Sequence, residues 1–293
     1  MDSFSISQLE QFSGIKAHTI RIWEQRYNAL SPNRSQGNTR NYDNSQLRRL
    51  LNIVSLMNSD YKVSELCSFS DEKLFELLQE QLKSKIIIDE SSEYFISQLI
   101  ATGMSYDELE FEKIFSNYNL RYGLKNTYVK LIYPMLVRIG LMWTNNSLHA
   151  SHEHFISNLI RQKLFSAIDS LPLAKSSEDS WLLFLPENEF HEIGLLFSNY
   201  LIRFSGKKVF YIGGNVPLDT LSHAIKENTP SNVLFFVVNN NAPEDLKKFI
   251  NKLKNTSINT KIHISGNEKL ISQLKTGKQI SWINSVEDLE AKL

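Results

Sequence analysis

The chain has 293 residues, 42% hydrophobic and 22% charged, with Lys+Arg and Asp+Glu both at 32. That length predicts two or three domains, each able to bury a core. The balanced charge excludes a globally basic surface, so any nucleic-acid site has to be local. A single cysteine, Cys67, excludes an intramolecular disulfide and fits a reducing compartment. The start, MDSFSISQLE, has no basic stretch followed by an apolar one. The most apolar run, YVKLIYPMLVRIGLMW, is interrupted by Lys130 and Arg138 and reads as a core helix, not a membrane span. The expectation is a cytoplasmic protein with no membrane partner.

Residues 1–74 are short helical patterns punctuated by Gly and Pro. SISQLEQFSGIKAHTIRIWEQRY reads as two helices around a tight turn at Ser13-Gly14-Ile15. Leu9, Phe12, Ile15, Ile20 and Trp23 have the spacing of a small shared core. Arg21 and Arg26 project from the second helix. LSPNRSQGNTRNY is a Gly-centred hairpin-like loop carrying Arg34 and Arg40, and NSQLRRLLNIVSLMN is a third helix. Residues 1–50 hold seven Lys/Arg against four acids, a local charge of +3. A helix-turn-helix followed by a basic wing places one helix in the major groove while the wing grips phosphates. The ordered Gly14, Thr19, Arg21, Trp23, Arg26, Tyr27, Leu30, Pro32, Arg34, Arg40 and Tyr42 resemble the winged helix of the MerR family of transcription regulators. That family has Gly-Tyr-Arg-x-Tyr in the wing where this chain has GNTRNY. The resemblance implies contacts to double-stranded operator DNA from His18, Thr19, Arg21, Arg26, Arg34, Arg40 and Tyr42.

Residues 75–172 show long helical periodicity, enough for four or five helices around an apolar interior. Within them MWTNNSLHASHEHF concentrates three of the chain's seven histidines. Along one straight helix Trp143 and His154 would stand about 16 Å apart, too far to face one small group. Thr144-Asn145-Asn146-Ser147 is a helix-stopping, N-capping sequence, and a break there would let Trp143 and the Glu153–His154 turn line one cavity. His149, His152 and Glu153 also have the i, i+3, i+4 spacing of part of a zinc site. No cysteine pair or distant histidine supports zinc, and a solvated helix face is the preferred reading for His149 and His152.

The segment LPLAKSSEDS (171–180) is a linker into a third region, 178–293. There the apolar runs WLLFLP, KKVFYIGG, NVLFFVV, KIHISG and QISWIN alternate with helical patterns, which predicts a doubly wound parallel sheet. After the first strand comes Glu189-x-His191-x-x-Gly194. Ligands of open α/β sheets sit at the C-terminal ends of the strands. A histidine there can ligate a metal, with a carboxylate on its other nitrogen fixing the tautomer.

This arrangement resembles the cobalamin-binding domain and its D/E-x-H-x-x-G motif. The resemblance implies His191 as lower axial cobalt ligand, Glu189 as its partner and Gly194 as the glycine of the cofactor's tail pocket. YIGGNVPLDTL resembles the family's Leu-Gly-x-x-x-Pro region. Asn239 and Asn241 stand where the family has Ser-x-Thr or Ser-x-Leu, and Ser265-Gly266 where it has Gly-Gly. Trp143, nine residues, Glu153 and His154 match the Trp-x9-Glu-His of the bundle that caps the cofactor in CarH/LitR-type regulators, the light-sensing MerR branch. Thr144 replaces the histidine that follows the tryptophan there.

The expected fold is therefore multidomain α and α/β: a winged helix-turn-helix (1–74), a four-helix-bundle cap (75–172) and a doubly wound, flavodoxin-like cobalamin-binding domain (178–293). The implied function is a non-enzymatic regulator, a repressor, controlled by adenosylcobalamin or another cobalamin, with light as a candidate second input. Its implied partners are operator DNA and further copies of itself, as dimer or tetramer. Two other readings are a MerR-type regulator whose cofactor-free α/β domain binds an antirepressor protein, and a corrinoid methyl-transfer protein.

Overall fold

A computed structural model describes residues 4–34, 39–57, 59–82, 90–144, 149–174, 178–238, 243–256, 260–272 and 280–293. The chain divides into two compact units, Met1–Leu159 and Ile160–Leu293.

The first unit opens with α1 (Ile6–Ser13) and α2 (Ala17–Tyr27). Ser5 and Gln8 close a capping box at the start of α1, and Gly14 ends it in the left-handed region at φ 71°. No side chain of its own caps α2. Instead Glu10 of α1 accepts the Ala17 N–H at 3.0 Å and pairs with Lys16 at 3.0 Å. These contacts hold the Glu10 carboxyl below its ordinary range. The wing strands β1 (Asn33–Arg34) and β2 (Arg40–Asn41) pair antiparallel, and Phe4 bridges to Tyr42 beside them. Next come α3 (Asn44–Ser55), α4 (Val63–Ser68) and α5 (Asp71–Leu82). Arg49 fastens this region together. Its guanidinium donates to the carbonyls of Ala29 (2.7 Å), Cys67 (2.8 Å) and Phe69 (2.9 Å) and pairs with Asp71 at 2.5 Å. Cys67 is buried, and burial pushes its thiol up to about 11.

The bundle follows as α6 (Glu90–Met104), α7 (Glu108–Thr127), a π-helical turn (Tyr128–Ile132), α8 (Tyr133–Thr144) and α9 (Ala150–Asp169). Gly123, at φ 75° and ψ 162°, kinks α7. α3 packs on both α6 and α8, so residues 1–74 and the helices up to Leu159 share one unit, and the division between units falls inside α9. Arg138, which interrupts the apolar run of α8, is fully buried against Glu93 of α6 at 2.5 Å. Among the described residues no helix is long and apolar enough to cross a membrane.

The second unit is a five-stranded parallel sheet in the order β4-β3-β5-β6-β7. Its elements are β3 (Ser180–Pro186), α10 (Ile193–Phe204), β4 (Lys208–Val216), α11 (Leu218–Asn228), β5 (Asn232–Val237), α12 (Pro243–Thr256), β6 (Lys261–Gly266), α13 (Glu268–Ile271), β7 (Ile280–Trp282) and α14 (Val286–Glu290). Every residue of the inner strand β3 is buried, as expected of a strand covered on both faces. Leu182, Phe184, Val233, Phe235, Ile262 and Ile264 form much of one core layer. At the opposite end from the strand C-termini, the buried His263 stacks on Trp181 with ring centroids 4.9 Å apart. Its Nδ1 bonds Ser281 Oγ at 2.6 Å and its Nε2 donates to Asn232 Oδ1 at 3.0 Å. Burial pushes its pKa down to about 4, so the ring is neutral at physiological pH.

Candidate functional site

In sequence order of the strands this sheet is 2-1-3-4-5, and its topological switch point lies between β3 and β5. Glu189 stands there, just after β3, and is fully buried. One carboxylate oxygen accepts the Phe190 and His191 amides at 3.0 and 3.1 Å and engages His191 Nδ1 at 2.6 Å. The other accepts the Val238 amide, just beyond β5, at 2.8 Å. The Glu189 carbonyl accepts the Asn215 amide of β4 at 3.1 Å. One residue thus ties together the C-terminal ends of β3 and β5, which flank the crevice, and of the neighbouring β4. Asn188 and Asn215, both at positive φ (66° and 54°), complete the cluster, and the Asn188 amide donates to Asn215 Oδ1 at 2.9 Å. Asparagine tolerates that backbone region where most residues do not.

The His191 side chain is 55% exposed, on a carboxylate that is 1% exposed. This is the arrangement of a metal-ligating histidine: a buried acid on Nδ1 fixes ring orientation and tautomer, and coordination falls to Nε2. The His191–Glu189 pair therefore fits a nitrogen donor to a metal. Beside it, Tyr211 of β4 donates to Glu192 Oε1 at 2.8 Å, and desolvation followed by that bond raises the phenol's pKa.

The other expected cofactor residues divide. A Cβ built on Gly194 would lie 2.8 Å from the Phe236 ring, so a larger residue on α10 would have to displace that ring. Gly266 sits at φ 124°, where a Cβ would meet the Val237 carbonyl oxygen at 2.2 Å, and Ser265 Oγ donates to the Ile283 carbonyl at 2.8 Å. Both residues therefore have a role within the protein at the end of β6. Asn239 and Asn241 lie outside the described residues, as do residues 145–148 of the expected helix break. α8 ends at Thr144 and α9 begins at Ala150. Trp143 is in the last turn of α8, with its side chain outside the described residues. Glu153, half-buried, and His154, exposed, stand at the start of α9 with their side chains 3.3 Å apart. Glu153 accepts from Ser157 Oγ at 2.5 Å. His149 and His152 belong to a different cluster, in which Tyr106 donates to Ser151 and stacks near His152. No group of three or more His, Cys, Asp or Glu side chains placed to hold a metal ion is found among the described residues.

In the first unit, α2 is the second helix of the helix-turn-helix. Its buried face is Ile20, Trp23 and Glu24, which leaves His18, Arg21 and Arg26 exposed and Thr19 half-buried. On the wing Arg34 stands directly across from Arg40. Arg40 also pairs with Glu24 at 3.0 Å. Tyr42, expected at the DNA, is fully buried, with its hydroxyl on the other Glu24 oxygen. Burial and that bond raise its pKa. In this structure Tyr42 positions the wing on α2 and does not lie on the exposed surface. Glu24 was missed in the sequence because an acid inside a basic motif carries no signal until the fold brings Arg40 and Tyr42 to it.

A helix-turn-helix with a basic wing, joined in one chain to a doubly wound α/β unit with a carboxylate–histidine pair at its switch point, defines a DNA-binding regulator that carries a second, ligand-type domain. Residues 4–67 match the family model described as MerR HTH family regulatory protein. The chain is 24% identical over 259 residues to the HTH-type transcriptional repressor CarH of Myxococcus xanthus, across 86% of this chain and 84% of that one. It is 26% identical over 242 residues to the HTH-type transcriptional repressor CarA of the same organism, across 82% and 78%. In fold it is similar to the Methanosarcina barkeri monomethylamine corrinoid protein, with a TM-score of 0.51, 12% identity, and coverage of 73% of this chain and 98% of that one.

Proposed function

We propose that the chain is a transcriptional repressor whose grip on operator DNA is set by a cobalamin held at the Glu189–His191 site. The observation that carries this reading is the buried Glu189 carboxylate, which orients the His191 ring at the switch point of the sheet. His191 would supply a nitrogen ligand to the cobalt and Glu189 its orientation and basicity, and the motif resemblance implies further contacts to the group from Trp143, Glu153 and His154. When bound, the group supplies a cobalt–carbon bond that light can break, which makes adenosylcobalamin and light the candidate inputs. The chain's own residues do no covalent chemistry in this reading. They bind, orient and transmit, so the protein acts as a regulator and not as a methyl-transfer enzyme. Assembly into dimers or tetramers would raise DNA affinity by linking several helix-turn-helix modules.

The test is uptake of cobalamin by the full chain, followed by absorption after desalting. The reading expects one equivalent bound, with a His-ligated spectrum that changes to the unligated form in His191→Ala. A protein that emerges colourless contradicts it.

A second reading drops the cofactor and uses the α/β unit to bind an antirepressor protein. The Phe236 ring packed against Gly194, where the resemblance implies a tail pocket, favours it. Failure of cobalamin uptake together with intact DNA binding would select this reading.

A further inference from the structure

The face that α2 turns outward has an apolar centre. Ile22 is 41% exposed. At ~100° per residue, His18, Thr19, Gln25 and Arg26 all fall within ~60° of it around the helix. Ile20, Trp23 and Glu24 are buried on the other side. Ile22 therefore occupies the middle of the surface that a helix-turn-helix presents to the major groove, with polar and cationic side chains around it.

A β-branched apolar residue is a poor choice for an exposed helix position on stability grounds, because it gives up helix propensity without burying its methyls. It can neither donate nor accept a hydrogen bond, so it cannot read the guanine, cytosine or adenine edges. The major groove offers one apolar feature, the thymine C5 methyl. Phosphate contacts fall to the arginines around it and on the wing, which fix register without carrying sequence information.

We propose that Ile22 is a specificity residue that packs on a thymine methyl at one position of each operator half-site. The proposal rests on the DNA-binding reading of the first unit and extends it to the base that is read. None of the residues assigned by the motif resemblance includes Ile22.

The test uses the full chain and duplexes selected by it from a randomised library. Each thymine of the selected site is replaced in turn by uracil, which removes only the methyl, and affinity is read by fluorescence anisotropy. The native protein is expected to lose affinity about 3- to 5-fold at one position per half-site, the worth of one buried methyl group. In Ile22→Ala the thymine-to-uracil ratio at that position should fall to about one while the ratios elsewhere stay unchanged, and Ile22→Val should keep part of it. Alanine is the better helix former at an exposed site, so an unchanged melting temperature controls for folding. Indifference of the native protein to every thymine methyl, or an unchanged ratio in Ile22→Ala, overturns the proposal while leaving DNA binding intact. Failure to select any duplex instead overturns the DNA-binding reading itself, and the proposal with it.

Discussion

Replacing Glu189 by glutamine removes a charge and one acceptor while keeping the shape. In the native chain one oxygen serves the Phe190 and His191 amides and the His191 ring, and the other serves Val238. Glutamine has one acceptor oxygen. Placed toward His191, it turns an NH2 group toward the Val238 N–H, so two donors face each other across the switch point. Loss of one hydrogen bond to a charged group costs about 1.5–3 kcal/mol, and weakening of the three remaining bonds adds to it. The expected loss is about 2–4 kcal/mol in the stability of the second unit. Urea unfolding followed by tryptophan fluorescence measures it, and hydrogen exchange at the Val238 amide localises it. A Glu189→Gln chain that unfolds within ~0.5 kcal/mol of the native one, with Val238 equally protected, would refute the idea that this carboxylate ties β3 to β5.

Arg138 and Glu93 form a buried pair in which the Arg138 Nε and Nη1 have no hydrogen-bond partner among the described residues. Arg138→Met alone should destabilise the first unit by about 3–5 kcal/mol, because it strands a buried carboxylate, while Arg138→Met with Glu93→Leu should recover most of that in the same thermal melt. The His263 ring, with its pKa pushed from 6.5 down to about 4, stays neutral in the fold while the unfolded chain takes up a proton. Stability should therefore fall as pH drops from about 6.5 toward 4, by up to about 3 kcal/mol, and be fully present above pH 6.5; urea midpoints across that window, compared with His263→Asn, check the slope. Gly266→Ala should lower the melting temperature of the second unit by several degrees, since its Cβ would meet the Val237 carbonyl and its φ of 124° is strained for alanine.

The alternation of apolar runs with amphipathic stretches made the parallel sheet legible, because β3, β5 and the middle of β6 are buried and helical patterns lie between the runs. Glu189 and His191 were legible as a pair for a local reason: two positions apart in a loop, they can meet whatever the rest of the chain does. What the sequence left hidden is what joins distant segments. Glu189 reaches Val238, Glu24 reaches Arg40 and Tyr42, and Arg138 reaches Glu93, and none of these spacings follows a helical or strand period. Tyr42 shows the consequence. Its place in the motif suggested a DNA contact, and the fold turns it inward. Gly194 and Gly266 show a related limit, since both fit a ligand motif, while Gly266 is already required by the Val237 backbone and Gly194 packs against the Phe236 ring.

The central claim is that a cobalamin held at His191 sets how tightly α2 and the wing hold DNA. The most direct measurement is the affinity of the full chain for one selected duplex, in the dark, with and without adenosylcobalamin, for the native protein and for His191→Ala. The account predicts at least a tenfold difference between the two native states and a smaller one in His191→Ala. Equal affinity of the native protein in both states would contradict it.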